Sequence, residues 1–268
     1  MSDRLRGGAH ASKTHDSAFR HVTGEALYID DLPEPAGLLH VQLGLSAKAH
    51  ARLVKVDLTA VRAAEGVVCV LTASDVPGEN DVSPTHRHDE PLLATDLVQF
   101  VGQPIFAVAA RTRDLARRAA ALAVIEYDEL PAVLDAEAAM PTGKLVTDPL
   151  TLRRGDAKAA IAAAPRQLQG RMHIGGQEHF YLEGQIALAV PGEQDEVTVY
   201  SSTQHPSEIQ HMVAKVLDVA SHAVTIEIRR MGGAFGGKET QGNLFACIAA
   251  IVAKKTGRAA KARPDRDD

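Results

Sequence analysis

Cysteine is scarce in this chain: 268 residues contain two, Cys69 and Cys247. An iron–sulfur cluster takes about four thiolates, so this chain alone holds none, and electrons generated here must leave through another protein. Both cysteines lie in apolar runs, VVCVL and LFACIAA, where they read as small core residues. No apolar stretch approaches the roughly 20 residues a membrane helix needs. The opening MSDRLRGGAHASK also lacks the apolar region of a secretory signal. A cytoplasmic protein without a membrane partner is expected. Basic residues are not in excess, since 29 Lys and Arg stand against 34 Asp and Glu for a net charge of -5. No basic stripe is present to neutralise a phosphate backbone, which excludes nucleic acid as the expected partner.

The chain does have material for a core. Hydrophobic residues make up 45% and charged residues 24%, and mean hydropathy is -0.09, as in a folded globular protein rather than a disordered one. The length suits two domains.

Residues 1–18 are polar, include His10 and His15, and show no periodicity; they read as a flexible tail. In LLHVQLGLS, Leu39, Val41 and Leu43 alternate with polar neighbours, the pattern of a half-buried strand. Asp57 is placed to cap a short helix, LTAVRAAEG, that stops at Gly66. VVCVL and QPIFAVAA read as covered strands, RTRDLARRAAALAV as a helix, and IEYDELP as extended chain ended by Pro131. The loop between the first two of these strands carries His86 and His88 around Arg87; that spacing suits either a metal or a solvated loop, and the solvated loop is the simpler reading. Residues 19–133 thus form a small mixed α/β domain. Residues 134–164 lack strong periodicity and carry prolines, as a linker does.

The second unit, 165–268, opens on a strand-like QLQGRMHIGG. IALAV and VTVYS flank PGEQDE as a hairpin. Pro206 then starts a helix with an apolar stripe at Ile209, Met212, Val213, Val216 and Leu217. AVTIEIR is a strand, and NLFACIAAIVAKKTG is apolar enough for a buried helix.

Between that strand and that helix stands MGGAFGGKET, Met231–Thr240. Gly232, Gly237 and Lys238 fit G-x-x-x-x-G-K, the phosphate-binding pattern, in the right strand–loop–helix setting. The hydroxyl needed next is replaced by Glu239. A carboxylate ~4 Å from a phosphate charge, at an effective dielectric of ~20, is repelled by about 4 kcal/mol, which argues against nucleotide. The glycines instead allow close backbone approach to a bulky planar ligand. Phe235, the one large side chain in GGAFGG, either anchors the loop in the core or presents its backbone to that ligand; the pattern alone favours the anchor.

MGGAFGGKET, with GGQEHFYLEGQ at Gly175–Gln185 and with TGEALYIDDLP and VGQPIFAVAARTRDLARRAA nearer the start, resembles the molybdenum-binding subunit of xanthine dehydrogenase and related molybdenum hydroxylases. The resemblance runs from about Phe19 to the end. It implies an α+β chain: a small hammerhead-like α/β domain followed by the first part of a larger mixed α/β domain that binds the molybdenum–pterin cofactor. It further implies that Gln177 hydrogen-bonds an oxygen of the cofactor, a task for which a neutral amide adds no charge. Phe235 and Gly236 resemble the pair whose backbone lies beside the metal, and no residue here is implied as a direct metal ligand. Glu239 resembles the carboxylate that contacts the purine ring in xanthine-using members. A bare turn glutamine and a helix-start carboxylate are the plainer readings of Gln177 and Glu239. His179 and Glu183, four apart, lack further ligands and are assigned to structure.

The implied reaction is hydroxylation of xanthine or hypoxanthine with water as oxygen source, electrons passing to iron–sulfur and flavin (FAD) centres on a partner subunit. The family subunit is far longer, so this sequence is expected to be a truncated portion, inactive alone, whose general base lies in the missing remainder. The alternative is a non-catalytic scaffold or assembly module that keeps the fold without cofactor.

Overall fold

The computed structural model describes residues 12–85, 87–266 and 268. Its strands are β1 (Leu39–Leu45), β2 (Ala51–Asp57), β3 (Val67–Leu71), β4 (Leu97–Val98), β5 (Pro104–Ala110), β6 (Val124–Glu129), β7 (Ala187–Pro191), β8 (Val197–Ser201), β9 (Val224–Glu227) and β10 (Ala260–Ala262). Its α-helices are α1 (Ala18–Thr23), α2 (Thr59–Ala63), α3 (Arg113–Ala120), α4 (Ala136–Ala139), α5 (Ala157–Ala163), α6 (Pro206–Leu217) and α7 (Gly242–Thr256).

Seven strands form one sheet in the order β3-β5-β1-β10-β7-β8-β9, and β4-β2-β6 form a second. The β1/β10 and β8/β9 pairs are parallel and the others antiparallel. Every residue of β5 is buried. Its period of two explains how: Ala107 and Ala109 enter the core shared with α6 and α7, whereas Phe106 and Val108 enter the core shared with the small sheet. A strand covered on both faces reads as a continuous apolar run, which is what PIFAVAA is.

Helix α6 begins on Pro206, whose missing N–H costs nothing at a helix start. It buries Ile209, Val213, Val216 and Leu217 along one face and ends at Asp218 in the left-handed conformation. Helix α7 lies over β7 and β10 and against α6. Its buried residues run from Gly242 to Ala253 without a polar stripe, and it stops at Gly257, φ 65°. The α+β architecture expected from the sequence is the one found.

Three strands, β2, β4 and β10, lie where the sequence analysis places none. Strand β10 is only AKA, and it forms because β1 and β7 supply partners on either side. The expected strand in QLQGRMHIGG is not formed, and Leu168, Met172 and Ile174 are exposed there. A strand needs a neighbour's backbone as much as its own pattern, and β7, the next strand in sequence, already has both edges occupied by β10 and β8. Residues 1–11 of the expected tail, including His10, lie outside the described residues. Ser17 is buried, and Arg230 donates to its hydroxyl at 3.3 Å. In the range read as linker, α4 and α5 bury no residue.

Candidate functional site

The glycine loop after β9 is held against the segment 179–185 by residues that alternate along that segment. A methyl group on Gly232 would sit 2.5 Å from the Glu183 Cβ, and one on Gly233 would sit 3.0 Å from the Tyr181 Cβ. On Gly237 it would meet the Tyr181 ring at 2.8 Å and the His179 ring at 2.9 Å. Glycine is therefore required by proximity at Gly232, Gly233 and Gly237, and by backbone angle at Gly233 and Gly236, with φ of 101° and 91°.

Polar contacts lock the same two segments. The Glu183 Oε2 accepts from Gly232 N at 2.8 Å, from the Ser202 hydroxyl at 2.6 Å and from Lys238 Nζ at 3.1 Å. Lys238 Nζ also donates to Ser202 Oγ at 2.8 Å and lies 4.6 Å from the centre of the Tyr181 ring. Gln185 Nε2 donates to the Gly237 carbonyl at 2.8 Å. The Lys238 side chain is 0% exposed. Burial pulls its ammonium below the ordinary lysine value, against the opposing pull of Glu183. This lysine is committed to a buried pair and cannot serve a phosphate, which removes the nucleotide reading on geometry as well as charge. Glu183 is tied into this lock, and the His179 ring lies against Gly237 and beside the Tyr181 ring.

The outward side of the loop is different. Phe235 is 77% exposed, so it does not anchor the loop in the core, and its φ of 54° is one an L side chain resists. The anchor reading fails because Tyr181 and Lys238 already fill the space beneath the loop. A methyl on Gly236 would meet nothing nearer than His179 at 4.0 Å, so the approach to this stretch of backbone is open. Gln177 and Glu239 are both exposed, and neither makes a hydrogen bond or ion pair with another described residue. Beneath the site, Glu183 Oε1 and Gln185 Oε1 are buried without a hydrogen-bond partner. The structure thus brings the two motifs together through residues 179–185 and 232–238, and leaves Gln177, Phe235, Gly236 and Glu239 exposed.

Sequence reasoning missed Ser202, Thr203 and Gln204, which lie under or beside the loop. The available signal was a run of polar residues, STQ, directly after the strand VTVYS; Ser201, Ser202 and Thr203 are buried.

The histidine loop holds a different arrangement. His86 lies outside the described residues. His88 Nδ1 is 2.9 Å from Asp81 Oδ2, and Glu79 completes a trio whose ligand atoms could converge on a cation. A cation is already there: Lys215 Nζ lies 2.5 Å from Asp81 and 3.2 Å from Glu79. Burial alone would raise the Asp81 carboxyl, but bonds from Lys215, Ser83 and His88 outweigh it and hold it at about 2. The folded value lies below the unfolded 3.8, so the stabilisation is complete above about pH 4 and is lost as pH falls toward 2. Asp81→Asn is expected to cost about 2 kcal/mol at pH 7 in urea unfolding, with the difference from the parent shrinking toward pH 2. A pH-independent difference would refute the ion-pair account.

Comparison with known proteins fits this geometry. Residues 23–131 match the a/b hammerhead domain of aldehyde oxidase and xanthine dehydrogenase, and residues 140–268 match the molybdopterin cofactor-binding domain. The chain belongs to the molybdenum hydroxylase family of the xanthine dehydrogenases and aldehyde oxidases. It is 40% identical over 259 residues to the xanthine dehydrogenase of Drosophila pseudoobscura pseudoobscura, covering 96% of this chain and 19% of that protein. It is 38% identical over 256 residues to aldehyde oxidase 3 of Rattus norvegicus, covering 95% and 19%. The quinoline 2-oxidoreductase from Pseudomonas putida 86 superposes with a TM-score of 0.81 at 28% identity, over 95% of this chain and 34% of that one. The chain therefore spans about a fifth of the length of the curated relatives it matches. Among the described residues no helix is long and apolar enough to cross a membrane.

Proposed function

We propose that this chain is the N-terminal part of the molybdenum subunit of a xanthine dehydrogenase, with a purine such as xanthine or hypoxanthine as substrate. Support comes chiefly from the junction of the two motifs, which turns the free side of the glycine loop, Glu239 and Gln177 away from the core. The residues suit the molybdenum–pterin group: the Phe235–Gly236 backbone is exposed, Gly236 carries no side chain to block approach, and no acidic side chain of the loop other than Glu239 opposes an anionic ligand. That group, when bound, supplies two-electron oxidation of the heterocycle with water as the oxygen source.

The work of this chain is binding and orientation. The Gln177 amide donates to an oxygen of the cofactor without adding charge. The Phe235–Gly236 backbone forms one wall beside it. Glu239, a free carboxylate, accepts a hydrogen bond from a ring N–H of the purine and so fixes which carbon faces the reaction. The general base lies outside residues 1–268 in this reading, as do the iron–sulfur and flavin carriers. Cys69 and Cys247, both buried, are unsuited to ligate a cluster.

Glu239→Ala in the cofactor-loaded enzyme that contains this chain is expected to lower kcat/KM for purine by about a hundredfold, the scale of a lost positioning contact. Turnover of a simple aldehyde, which offers no ring N–H, is expected to change little. Equal loss on both substrates, or none on purine, defeats the substrate role of Glu239.

A further inference from the structure

The three residues after β8 make an unusual number of bonds to one stretch of the glycine loop. Ser202 Oγ accepts from Lys238 Nζ at 2.8 Å, Thr203 Oγ1 donates to the Lys238 carbonyl at 3.2 Å, and Gln204 N donates to the same carbonyl at 2.8 Å. The Gln204 side chain then reaches over the loop, where its Oε1 accepts from Gly236 N at 3.0 Å and from Lys238 N at 3.3 Å. Every polar atom of Lys238 is thereby held, and Gly236, two residues before it, is held too. Between these restraints and Glu239 there is no free torsion except those of Glu239 itself.

The need for such restraint is local. Phe235 and Gly236 stand at φ 54° and 91°, a left-handed pair in which one member carries a large exposed side chain. Neither is pinned by side-chain packing, and the turn bond Gly237 N to the Ala234 carbonyl, 2.8 Å, closes only the base of the loop. A loop of this composition has other conformations available. The acceptor supplied by Gln204 selects one of them, because its oxygen can take both N–H groups only when these point to the same side.

We propose that Gln204 is the positioning residue of the site: through Gly236 N and Lys238 N it sets the backbone of Phe235–Glu239, and with it the direction in which Glu239 is presented to substrate. The specificity half of this inference rests on the reading of Glu239 given above; the backbone half does not. Gln204 itself is exposed, so its replacement leaves the core intact and the bared N–H groups can bond to water.

The test uses Gln204→Met, which keeps length and removes the acceptor, and Gln204→Glu, which keeps an acceptor oxygen. In the 268-residue chain, NMR-detected exchange of the Gly236 and Lys238 amides is expected to quicken by about tenfold in Gln204→Met, the scale of one modest hydrogen bond. Gln204→Glu is expected to restore protection, and any fall in global stability in Gln204→Met is expected not to exceed that tenfold factor, about 1.4 kcal/mol. Parental exchange rates in Gln204→Met, or a fall in global stability well beyond that tenfold factor, overturn the proposal. In the cofactor-loaded enzyme, Gln204→Met is expected to raise KM for purine about tenfold more than it raises KM for a simple aldehyde. Equal changes on both substrates overturn the specificity half. A Glu239→Ala enzyme with parental purine turnover removes that half by a different route, through the failure of the substrate reading, while the exchange measurement still judges Gln204.

Discussion

Replacing Glu183 with glutamine is expected to destabilise the protein by about 3 to 5 kcal/mol, the usual consequence of stranding a buried charge. The amide is nearly isosteric and can still accept from Gly232 N and Ser202 Oγ. What it removes is the countercharge of Lys238, whose side chain has no exposure to solvent. The ring of Tyr181, 4.6 Å from the ammonium, softens the loss without replacing a carboxylate. The pH dependence identifies the cause. Burial already draws Lys238 below 10.5, and without Glu183 it is drawn further. The unfolded chain then binds a proton that the folded chain does not, so the stability of the variant climbs as pH rises toward the ordinary lysine value. Chemical unfolding between pH 7 and pH 10 measures this. Glu183→Gln combined with Lys238→Met is expected to recover much of the loss, since removing both charges leaves nothing stranded. A double variant as unstable as the sum of the singles would show that the two residues act independently.

The second large effect is expected at Gly78, far from the glycine loop in sequence. Gly78 N donates to the Val216 carbonyl at 2.9 Å and Glu79 N to the Lys215 carbonyl at 3.3 Å, so the chain lies flat on the last turn of α6. These bonds satisfy carbonyls that the end of a helix leaves bare. A methyl group on Gly78 would press into the Lys215 carbonyl oxygen and come within 3.0 Å of Asp218 N. Backbone atoms at a helix end cannot swing aside as a side chain tip can. Gly78→Ala is therefore expected to cost about 3 kcal/mol, the upper part of the range for forced overpacking. It should also lift Asp81 and Glu79 away from Lys215, so the acid sensitivity assigned to Asp81 should flatten in the same variant. Retained acid sensitivity with full stability would show that the contact yields cheaply.

Comparing these sites with the linear pattern shows what a sequence can carry. Helix α6 was legible because its stripe, its Pro206 start and its length all agree, and β5 because burial on both faces requires an unbroken apolar run. The convergence of GGQEHFYLEGQ with MGGAFGGKET was legible only as a resemblance, since nothing in either string shows that the other lies beside it. Lys238 shows the limit of pattern alone. The same spacing that suits a phosphate lysine also suits a lysine turned inward, and the deciding partner, Glu183, is 55 residues away. Phe235 was misjudged in the opposite direction, because a large apolar side chain among glycines suggests an anchor when the space below is not known to be filled. Gln204 offered only its place in a polar run, since an exposed glutamine becomes informative only when the N–H groups it faces are seen.

By itself the sequence determined the kind of layers, the buried character of β5 and α7, the absence of ligands for a cluster, and the exclusion of nucleotide by the charge on Glu239. Tertiary structure decided which strands became neighbours, that AKA joins a sheet while QLQGRMHIGG does not, and that one face of the glycine loop is bolted down while the other stays open. The difference has a physical origin. Burial periodicity and charge belong to residues and their near neighbours, whereas sheet edges, buried ion pairs and backbone acceptors exist only once segments 50 or more residues apart are in contact, as in the Gly237–Gln185 bond across 52 positions.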